Sequence, residues 1–333
     1  MQSNPVDLGE TGPKSERLLP VGTLCYPLFL TPIYLPTQPL TAMQEVLAII
    51  ARDREAAGIS PDRLDIAAAR AFLPPTLLSI PTDTTVKTVT VEEVACHWVV
   101  APEADPKRRI AYLHGGGFVA GGFHSHRSLL GWLSQYAGCA ILSIEYSLAP
   151  EAKYPTQVDE AERVWEWLAG HGPWENDAAS ARFIAADSAG AAIAVALMLR
   201  TRACGGSLPD AAAFFCAMLD LNAETSSFVR SSQRLRDMVQ AYVRDALDLT
   251  DPAVCPMIAP LQGLPPMLLQ TGSADDARSD SERFAERAIA AGVDAKLVVW
   301  PDMFHVWHRF APLLPEATAA LAAAGSFLAT HRP

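Results

Sequence analysis

The chain is 333 residues long, half of its residues are hydrophobic, and its formal net charge at pH 7 is −11. This length and hydrophobic share suit one large α/β domain with a few added elements, and they supply an extensive core. Nucleic acids and anionic membranes bind clustered cations, whereas the basic groups of this chain are short and scattered. We therefore expect no nucleic-acid partner.

An uncharged segment runs from residue 18 to residue 43. Prolines interrupt it at positions 20, 27, 32, 36 and 39. Because proline breaks the hydrogen bonding of a helix, we expect no stable membrane insertion. We interpret the segment, together with a helix predicted over residues 42–57, as an apolar cover over a pocket.

A glycine-rich loop follows a predicted strand over residues 109–113. Its sequence is His114-Gly115-Gly116-Gly117-Phe118, and glycines let backbone N–H groups approach a ligand without intervening side chains. A phosphate-binding loop is the alternative. It would need a G-K-[ST] or a G-x-G-x-x-G spacing, and neither is present.

A serine lies between a predicted buried strand and a predicted helix. Ser188 follows the strand over residues 181–186, and a run of helix-forming residues begins at Ala189. This junction is typical of a nucleophile elbow, in which a sharp turn exposes the serine hydroxyl. The alternative is a serine that only caps the helix.

Together these two segments indicate hydrolysis of an ester by a serine nucleophile. Such chemistry needs a base that takes the proton of the hydroxyl group and N–H donors that stabilise the oxyanion. The expected oxyanion donors are the N–H groups of Gly115, Gly116 and Ala189.

The segment between residues 91 and 307 resembles the bacterial hormone-sensitive-lipase-like carboxylesterases of the α/β-hydrolase superfamily. Three positions differ from the usual pattern: Ala186 and Ala191 replace glycines, and Ser147 stands where arginine is frequent. The first two differences could narrow the elbow, and the third could alter a salt bridge near Glu151. The resemblance rests on the motifs at residues 114–118, 146–151, 187–190, 263–266 and 301–306.

The resemblance implies that an acid and a histidine follow the serine along the chain. It places the acid at Asp275, in the loop after a predicted strand over residues 267–271, with Asp276 as the alternative. It places the base at His305, after a strand over residues 295–300, with His308 as the alternative. Metal sites built from His305 and His308, or from His124 and His126, lack further ligands at recognised spacings, so no metal and no cofactor is expected.

Strands alternate with helices along the remainder of the chain, which predicts a mostly parallel sheet covered on both faces. Residues 158–168 form a predicted helix with one apolar face, a helix opened by a Ser279–Glu282 capping box ends at Gly292, and a last helix covers residues 315–330. We therefore predict an α/β-hydrolase fold with a helical cap. The cap would comprise residues 1–85 and an insertion over residues 222–249, and the catalytic domain would comprise residues 86–333.

The predicted function is a serine carboxylesterase that acts on small to medium uncharged esters through an acyl-enzyme on Ser188. A lactonase, an amidase or a carbamate hydrolase could use the same residues. A ligand-binding relative without catalysis is disfavoured, because relatives of that kind lack the histidine that His305 supplies. The resemblance also implies a possible homodimer that forms through the C-terminal edge of the sheet.

The cysteines show no C-x-x-C spacing, which favours free thiols in a reducing compartment. The N-terminal residues show no basic stretch followed by an apolar core, so we expect no signal peptide. Both observations predict a cytoplasmic protein. The cysteines are Cys25, Cys96, Cys139, Cys204, Cys216 and Cys255.

Overall fold

The structure is a computed structural model that describes residues 33–34, 40–60, 62–72 and 79–331. Its strands are β1 Ile33–Tyr34, β2 Thr85–Val91, β3 Val94–Val100, β4 Asp105–Leu113, β5 Cys139–Ile144, β6 Ala181–Asp187, β7 Ala211–Phe215, β8 Met267–Gly272 and β9 Ala295–Trp300. Its α-helices are α1 Leu40–Ala56, α2 Ile66–Ala71, α3 Phe123–Ala137, α4 Thr156–Leu168, α5 Ala189–Ala203, α6 Ser227–Ser231, α7 Gln233–Tyr242, α8 Arg278–Ala290 and α9 Pro315–Thr330.

All of these strands belong to one sheet, in the order β1-β9-β8-β7-β6-β4-β5-β3-β2. Neighbouring strands are parallel except for β3, which is antiparallel to both β2 and β5. Helices connect the parallel strands, because a parallel pair needs a crossover connection. The predicted α/β-hydrolase fold with a mostly parallel sheet is confirmed.

The central strands are mostly apolar and are buried over most of their length, because helices cover both faces of the sheet. Every residue of β5 and β7 is buried. Helix α5 is apolar around almost its whole circumference and is buried throughout its first eleven residues. The face predicted for α4 is also confirmed, because Val158, Ala161, Val164, Trp165 and Leu168 are all buried.

A β-hairpin at the far edge of the sheet was not anticipated from the sequence. It pairs β2 with β3 through Glu92 and Glu93, which both have positive φ angles, of 46° and 74°. Two consecutive residues with positive φ form the tight connection that matches the twist of antiparallel strands. Most side chains of β2 are exposed, as is typical of an edge strand.

The start of α8 differs from the prediction. The helix begins at Arg278, and no side chain caps its N-terminus. The hydroxyl of Ser279 instead hydrogen-bonds to the hydroxyl of Ser227 at 2.6 Å, so the expected capping box does not form. The end of the helix is as predicted, since Gly292 follows it with a φ angle of 79°.

The two predicted cap segments are partly described. In the N-terminal segment, α1 and α2 are helical, whereas Ile33 and Tyr34 pair with Val298 and Val299 in the sheet. Most of the uncharged segment lies outside the described residues. The second segment contains α6, α7 and a 3₁₀ helix over Ala246–Thr250. None of the described helices has the length and apolar character needed to cross a bilayer.

Candidate active site

Four loops at the carboxyl ends of parallel strands bring the candidate residues together. The glycine loop follows β4, Ser188 follows β6, Asp275 follows β8 and His305 follows β9. Parallel strands share the direction of their carboxyl ends, and ligands of open α/β sheets bind at that edge. Strand topology therefore collects residues that are far apart in the sequence.

Ser188 occupies a strained turn between β6 and α5. Its φ and ψ angles are 48° and −121°, a combination that costs free energy for a residue with a Cβ atom and persists where the surroundings enforce it. The adjacent helix approaches β4 so closely that a Cβ atom at Gly190 would collide with the carbonyl oxygen of Leu113. By contrast, Ala186 and Ala191 are buried in the elbow, so their methyl groups fit where glycines are usual.

Ser188, His305 and Asp275 form a continuous chain of polar contacts. His305 Nε2 lies 2.9 Å from Ser188 Oγ, and His305 Nδ1 lies 2.9 Å from Asp275 Oδ1. Asp275 also accepts hydrogen bonds from the Thr271 hydroxyl at 3.0 Å and from the Ala277 N–H at 2.9 Å. These contacts fix both the orientation of the imidazole and the nitrogen that carries its proton.

The electrostatics of this chain suit a base held by a carboxylate. Burial by itself raises the pKa of Asp275, but the charge of His305 and its hydrogen bond lower that pKa to about 2. Burial lowers the pKa of His305, but Asp275 outweighs burial and raises the pKa above its ordinary value. Asp275 is therefore ionised at neutral pH and stabilises the imidazolium.

The two alternative residues lie elsewhere. His308 is fully buried against the ring of Phe215, and its Nε2 atom lies 2.9 Å from Gln270 Oε1. Burial lowers the pKa of His308 to about 3, so this side chain is a neutral part of the core. Asp276 is exposed, and it is Asp275 that contacts His305.

The hydrogen bonds of the glycine loop show that one of the three predicted oxyanion donors is wrong. The N–H of Gly115 donates to Asp187 Oδ1 at 2.9 Å, so it is not available to a substrate. Among the described residues, no acceptor pairs with the N–H of Gly116 or of Gly117. Ala189 is the first residue of α5, and its N–H therefore has no acceptor within that helix.

A buried polar network around Asp187 was missed by the sequence reasoning. The carboxylate of Asp187 accepts a hydrogen bond from the Tyr112 hydroxyl at 2.8 Å and lies 3.2 Å from His126 Nε2. Burial raises the pKa of Asp187, but His126 and the hydrogen bonds hold it well below its usual range. Since Asp187 also binds Gly115, it connects the glycine loop to the residue that precedes Ser188. In the sequence, the only indication of this network was that Asp187 directly precedes Ser188.

Cys216 is a second neighbour of the site that was missed. Its Sγ atom lies within 4.8 Å of ligand atoms of Asp275 and His305 and accepts a hydrogen bond from the Val306 N–H. Burial raises the pKa of Cys216 well above its ordinary value. Both nitrogens of His305 are already engaged, by Ser188 and by Asp275.

Ser147, the third departure from the family pattern, does not hydrogen-bond to Glu151 and binds another glutamate. Its hydroxyl donates to Glu160 Oε1 at 2.6 Å. Glu151 instead pairs with Arg70 of α2, with an N–O distance of 2.7 Å. Arg70 also donates to the carbonyl oxygen of Val119, just after the glycine loop. Helix α2 is thus tied to that loop through one guanidinium group.

A pocket of about 460 Å³ opens onto Ser188 and His305. We use the term catalytic wall for its lining by Gly115, Gly116, Gly117, Ser188 and His305. We use the term helical wall for its lining by α1, by α2 with the residue that follows it, and by α7. These contribute Leu47, Ile50, Arg54, Ala69, Phe72, Arg234, Leu235 and Met238.

Comparisons with known proteins agree with this geometry. Residues 110–309 match the model of a family described as the alpha/beta hydrolase fold. An acetyl-hydrolase of Streptomyces hygroscopicus is 35% identical over 250 residues, which cover 73% of this chain and 82% of that protein.

Two solved structures are similar over most of the chain. An esterase from the bacterial hormone-sensitive lipase family is 32% identical with a TM-score of 0.77, covering 86% of this chain and 98% of that one. An esterase whose crystal was soaked with p-nitrophenyl butyrate is 30% identical with a TM-score of 0.76, and it has the same coverage. The chain therefore belongs to the α/β-hydrolase fold family and, within it, to the esterases related to bacterial hormone-sensitive lipase.

Proposed function

We propose that the protein is a serine carboxylesterase that hydrolyses small to medium carboxylic esters through an acyl-enzyme on Ser188. The contact chain from Ser188 Oγ through His305 to Asp275, with both distances at 2.9 Å, carries this proposal. It opens into a pocket with an apolar helical wall, which suits an organic ester.

In the proposed mechanism, His305 accepts the proton of Ser188 as the hydroxyl oxygen attacks the ester carbonyl carbon. The N–H groups of Gly116, Gly117 and Ala189 then donate to the oxyanion. His305 returns the proton to the leaving alkoxide. Water repeats the sequence on the acyl-enzyme and releases the carboxylic acid.

Asp187 is a positioning residue in this proposal. Its hydrogen bond to Gly115 holds the glycine loop, so that the next two N–H groups of the loop face the pocket. Helices α1, α2 and α7 act as the cap, in keeping with the predicted cap segments 1–85 and 222–249. Cytoplasmic location and a homodimer remain predictions, the first supported by the free thiols of Cys96, Cys139, Cys204, Cys216 and Cys255.

A substrate screen tests the proposal. We expect hydrolysis of p-nitrophenyl acetate, butyrate and octanoate, and mass spectrometry of a rapidly quenched reaction should find the acyl group on the peptide that contains Ser188. A lactone, an anilide and an aryl carbamate of similar size serve as comparisons. Faster turnover of any of these than of every ester, or an acyl group on another residue, would contradict the proposal.

A further inference from the structure

Two arginines of the helical wall face the pocket. Arg54 lies in the last turn of α1, and Arg234 lies in the first turn of α7. Both line the same pocket as Ser188. Helices that are distant in the sequence therefore each bring one guanidinium group to a single cavity.

Neither guanidinium group has an acceptor among the residues that the structure describes, which sets the pair apart from the arginines beside them. Arg52, on α1, pairs with Asp53 at 2.8 Å. Arg236, on α7, donates to Gln233 and to a backbone carbonyl oxygen. The two arginines outside the pocket lining thus have acceptors, and the two that line the pocket have none among the described residues.

The two charges also interact with each other. Burial lowers the pKa of Arg234, and the positive charge of Arg54 lowers it further. Among the described residues, no carboxylate offsets these two effects. Like charges held close together in a partly desolvated site repel each other. An anion bound between the two guanidinium groups is attracted to both and offsets this repulsion.

The other charged groups of the pocket belong to its catalytic side. The charge of Asp276 raises the pKa of His305. Arg309 donates to the carbonyl oxygen of Ser125, and its charge interacts with Asp187. Asp187 itself is bound within the buried network. Among the charged groups that line the pocket in the described part of the chain, Arg54 and Arg234 are therefore the pair whose donors have no acceptor.

The spacing along α7 indicates how far Arg234 lies from the glycine loop. A Cβ atom at Gly117 would collide with Met238 Sδ, so this thioether lies directly against the glycine loop. Arg234 precedes Met238 by four residues, which places it on the same helical face about 6 Å further along. A substrate that passes Met238 beside the glycine loop and reaches Arg234 must therefore extend at least that distance along α7.

We propose that the preferred substrates are esters whose acyl or alcohol part ends in a carboxylate, about five to seven bonds from the ester, and that Arg54 and Arg234 bind this carboxylate. Guanidinium groups match the planar geometry of a carboxylate. This inference rests on the proposed esterase function, and it replaces the expectation of uncharged substrates.

The test compares charged and neutral substrates of equal length. On the acyl side, the p-nitrophenyl half-esters of adipic and suberic acids are compared with the p-nitrophenyl esters of the corresponding monoamides. On the alcohol side, 4-carboxyphenyl butyrate is compared with 4-carbamoylphenyl butyrate. We expect kcat/KM of the wild-type enzyme to favour the carboxylate over the amide by about tenfold or more in one of the two sets.

Variants then assign the preference to the two arginines. Arg54→Gln and Arg234→Gln should each reduce the acid-to-amide ratio of kcat/KM severalfold, and the double variant should bring it close to one. Arg234→Lys should retain part of the preference, because it keeps the charge without the planar geometry. The matched control is Arg236→Gln, on the same helix and outside the pocket lining, which should leave the ratio unchanged.

Two results would overturn the inference: a wild-type ratio near or below one in both sets, or a preference that persists in the double variant. Either result, obtained with an enzyme that still hydrolyses p-nitrophenyl butyrate at Ser188, leaves the proposed esterase function intact. Failure to hydrolyse any ester would instead reject the proposed function.

Discussion

The catalytic wall and the helical wall of the pocket differ in how firmly their polar groups are held. On the catalytic wall, both nitrogens of His305 are bonded, and the two carboxylates that hold this wall in place, Asp187 and Asp275, each have several partners. On the helical wall, Arg54 and Arg234 have no acceptor among the described residues, and Leu47 is 48% exposed. The catalytic wall is therefore fixed in one geometry, whereas the two arginines of the helical wall have no acceptor in the part of the chain that the structure describes.

This difference indicates that the two walls have separate tasks. The catalytic wall supports the reaction, and the helical wall selects the substrate. A strained serine and a buried carboxylate persist only where the surroundings determine their positions, and such positions support one reaction. Apolar side chains and free cations act through the part of the substrate that does not react. Substitutions on the catalytic wall should therefore change kcat, and substitutions on the helical wall should change which substrates are used.

The largest effect is expected for Ser188→Ala. Removal of the nucleophile should lower kcat for p-nitrophenyl butyrate by at least about 10⁴-fold, because no acyl-enzyme can form. The far-ultraviolet circular dichroism spectrum should stay unchanged. A serine-directed organophosphate should label the wild-type enzyme at this residue, and labelling of another serine would reject the assignment.

The next largest effects are expected for the two residues that form the contact chain with Ser188, and the alternative residues serve as controls. His305→Ala and Asp275→Asn should each lower kcat by about 10³- to 10⁴-fold, since one supplies the base and the other orients it. His308→Gln, which can still bind Gln270, and Asp276→Asn are the controls and should cost about tenfold or less. The reverse ranking within either pair would move the site away from the contact chain.

A smaller effect is expected for Asp187→Asn. The amide removes the negative charge beside His126 and weakens the hydrogen bond to the Gly115 N–H. We expect kcat to fall by about one to two orders of magnitude while KM for p-nitrophenyl butyrate changes less than threefold, because the loop stabilises the oxyanion rather than the bound ester. A rise in KM without a fall in kcat would show that Asp187 shapes the substrate pocket instead.

The pH dependence should follow His305. The base works only when it is neutral, and its pKa is raised, so kcat/KM should fall with decreasing pH around a midpoint above 6.5. Asp276→Asn removes one of the charges that raise this pKa and should move the midpoint to lower pH with little loss of the plateau rate. A midpoint that stays in place or rises in this variant would contradict the assignment.

The smallest effect is expected on the helical wall. Leu47→Ala removes apolar surface from the pocket and should raise KM for p-nitrophenyl octanoate a few fold, with almost no change for the acetate. Ile258 is the matched control, because it is 47% exposed and lies outside the pocket lining. Equal effects of Leu47→Ala and Ile258→Ala on the octanoate would show that α1 does not contact the substrate.

The sequence predicted those features that depend on local pattern. Apolar runs identified β5, β6, β8 and β9, and the motif around Ser188 identified the elbow between a strand and a helix. Helix α9 has the predicted bounds, from residue 315 to residue 330. In each case the signal lies within a few consecutive residues.

Apart from Asp275 and His305, which the family resemblance supplied, features that depend on distant partners were not predicted. Asp187 and His126 are 61 residues apart, and only the fold brings them together. The same contact network explains the error at Gly115, whose N–H is taken up by a carboxylate 72 residues away. Arg54 and Arg234 were indistinguishable in sequence from other surface arginines, because what sets them apart is the absence of acceptors among the described residues around them.

The two-residue strand β1 has a consequence for assembly. The outer edge of a sheet offers unpaired N–H and C=O groups to a strand from another molecule. Here Ile33 and Tyr34 already pair with β9 at Val298 and Val299. A dimer that joined two sheets through this part of β9 would first have to displace β1, so the short strand protects the enzyme from edge-to-edge association at that point.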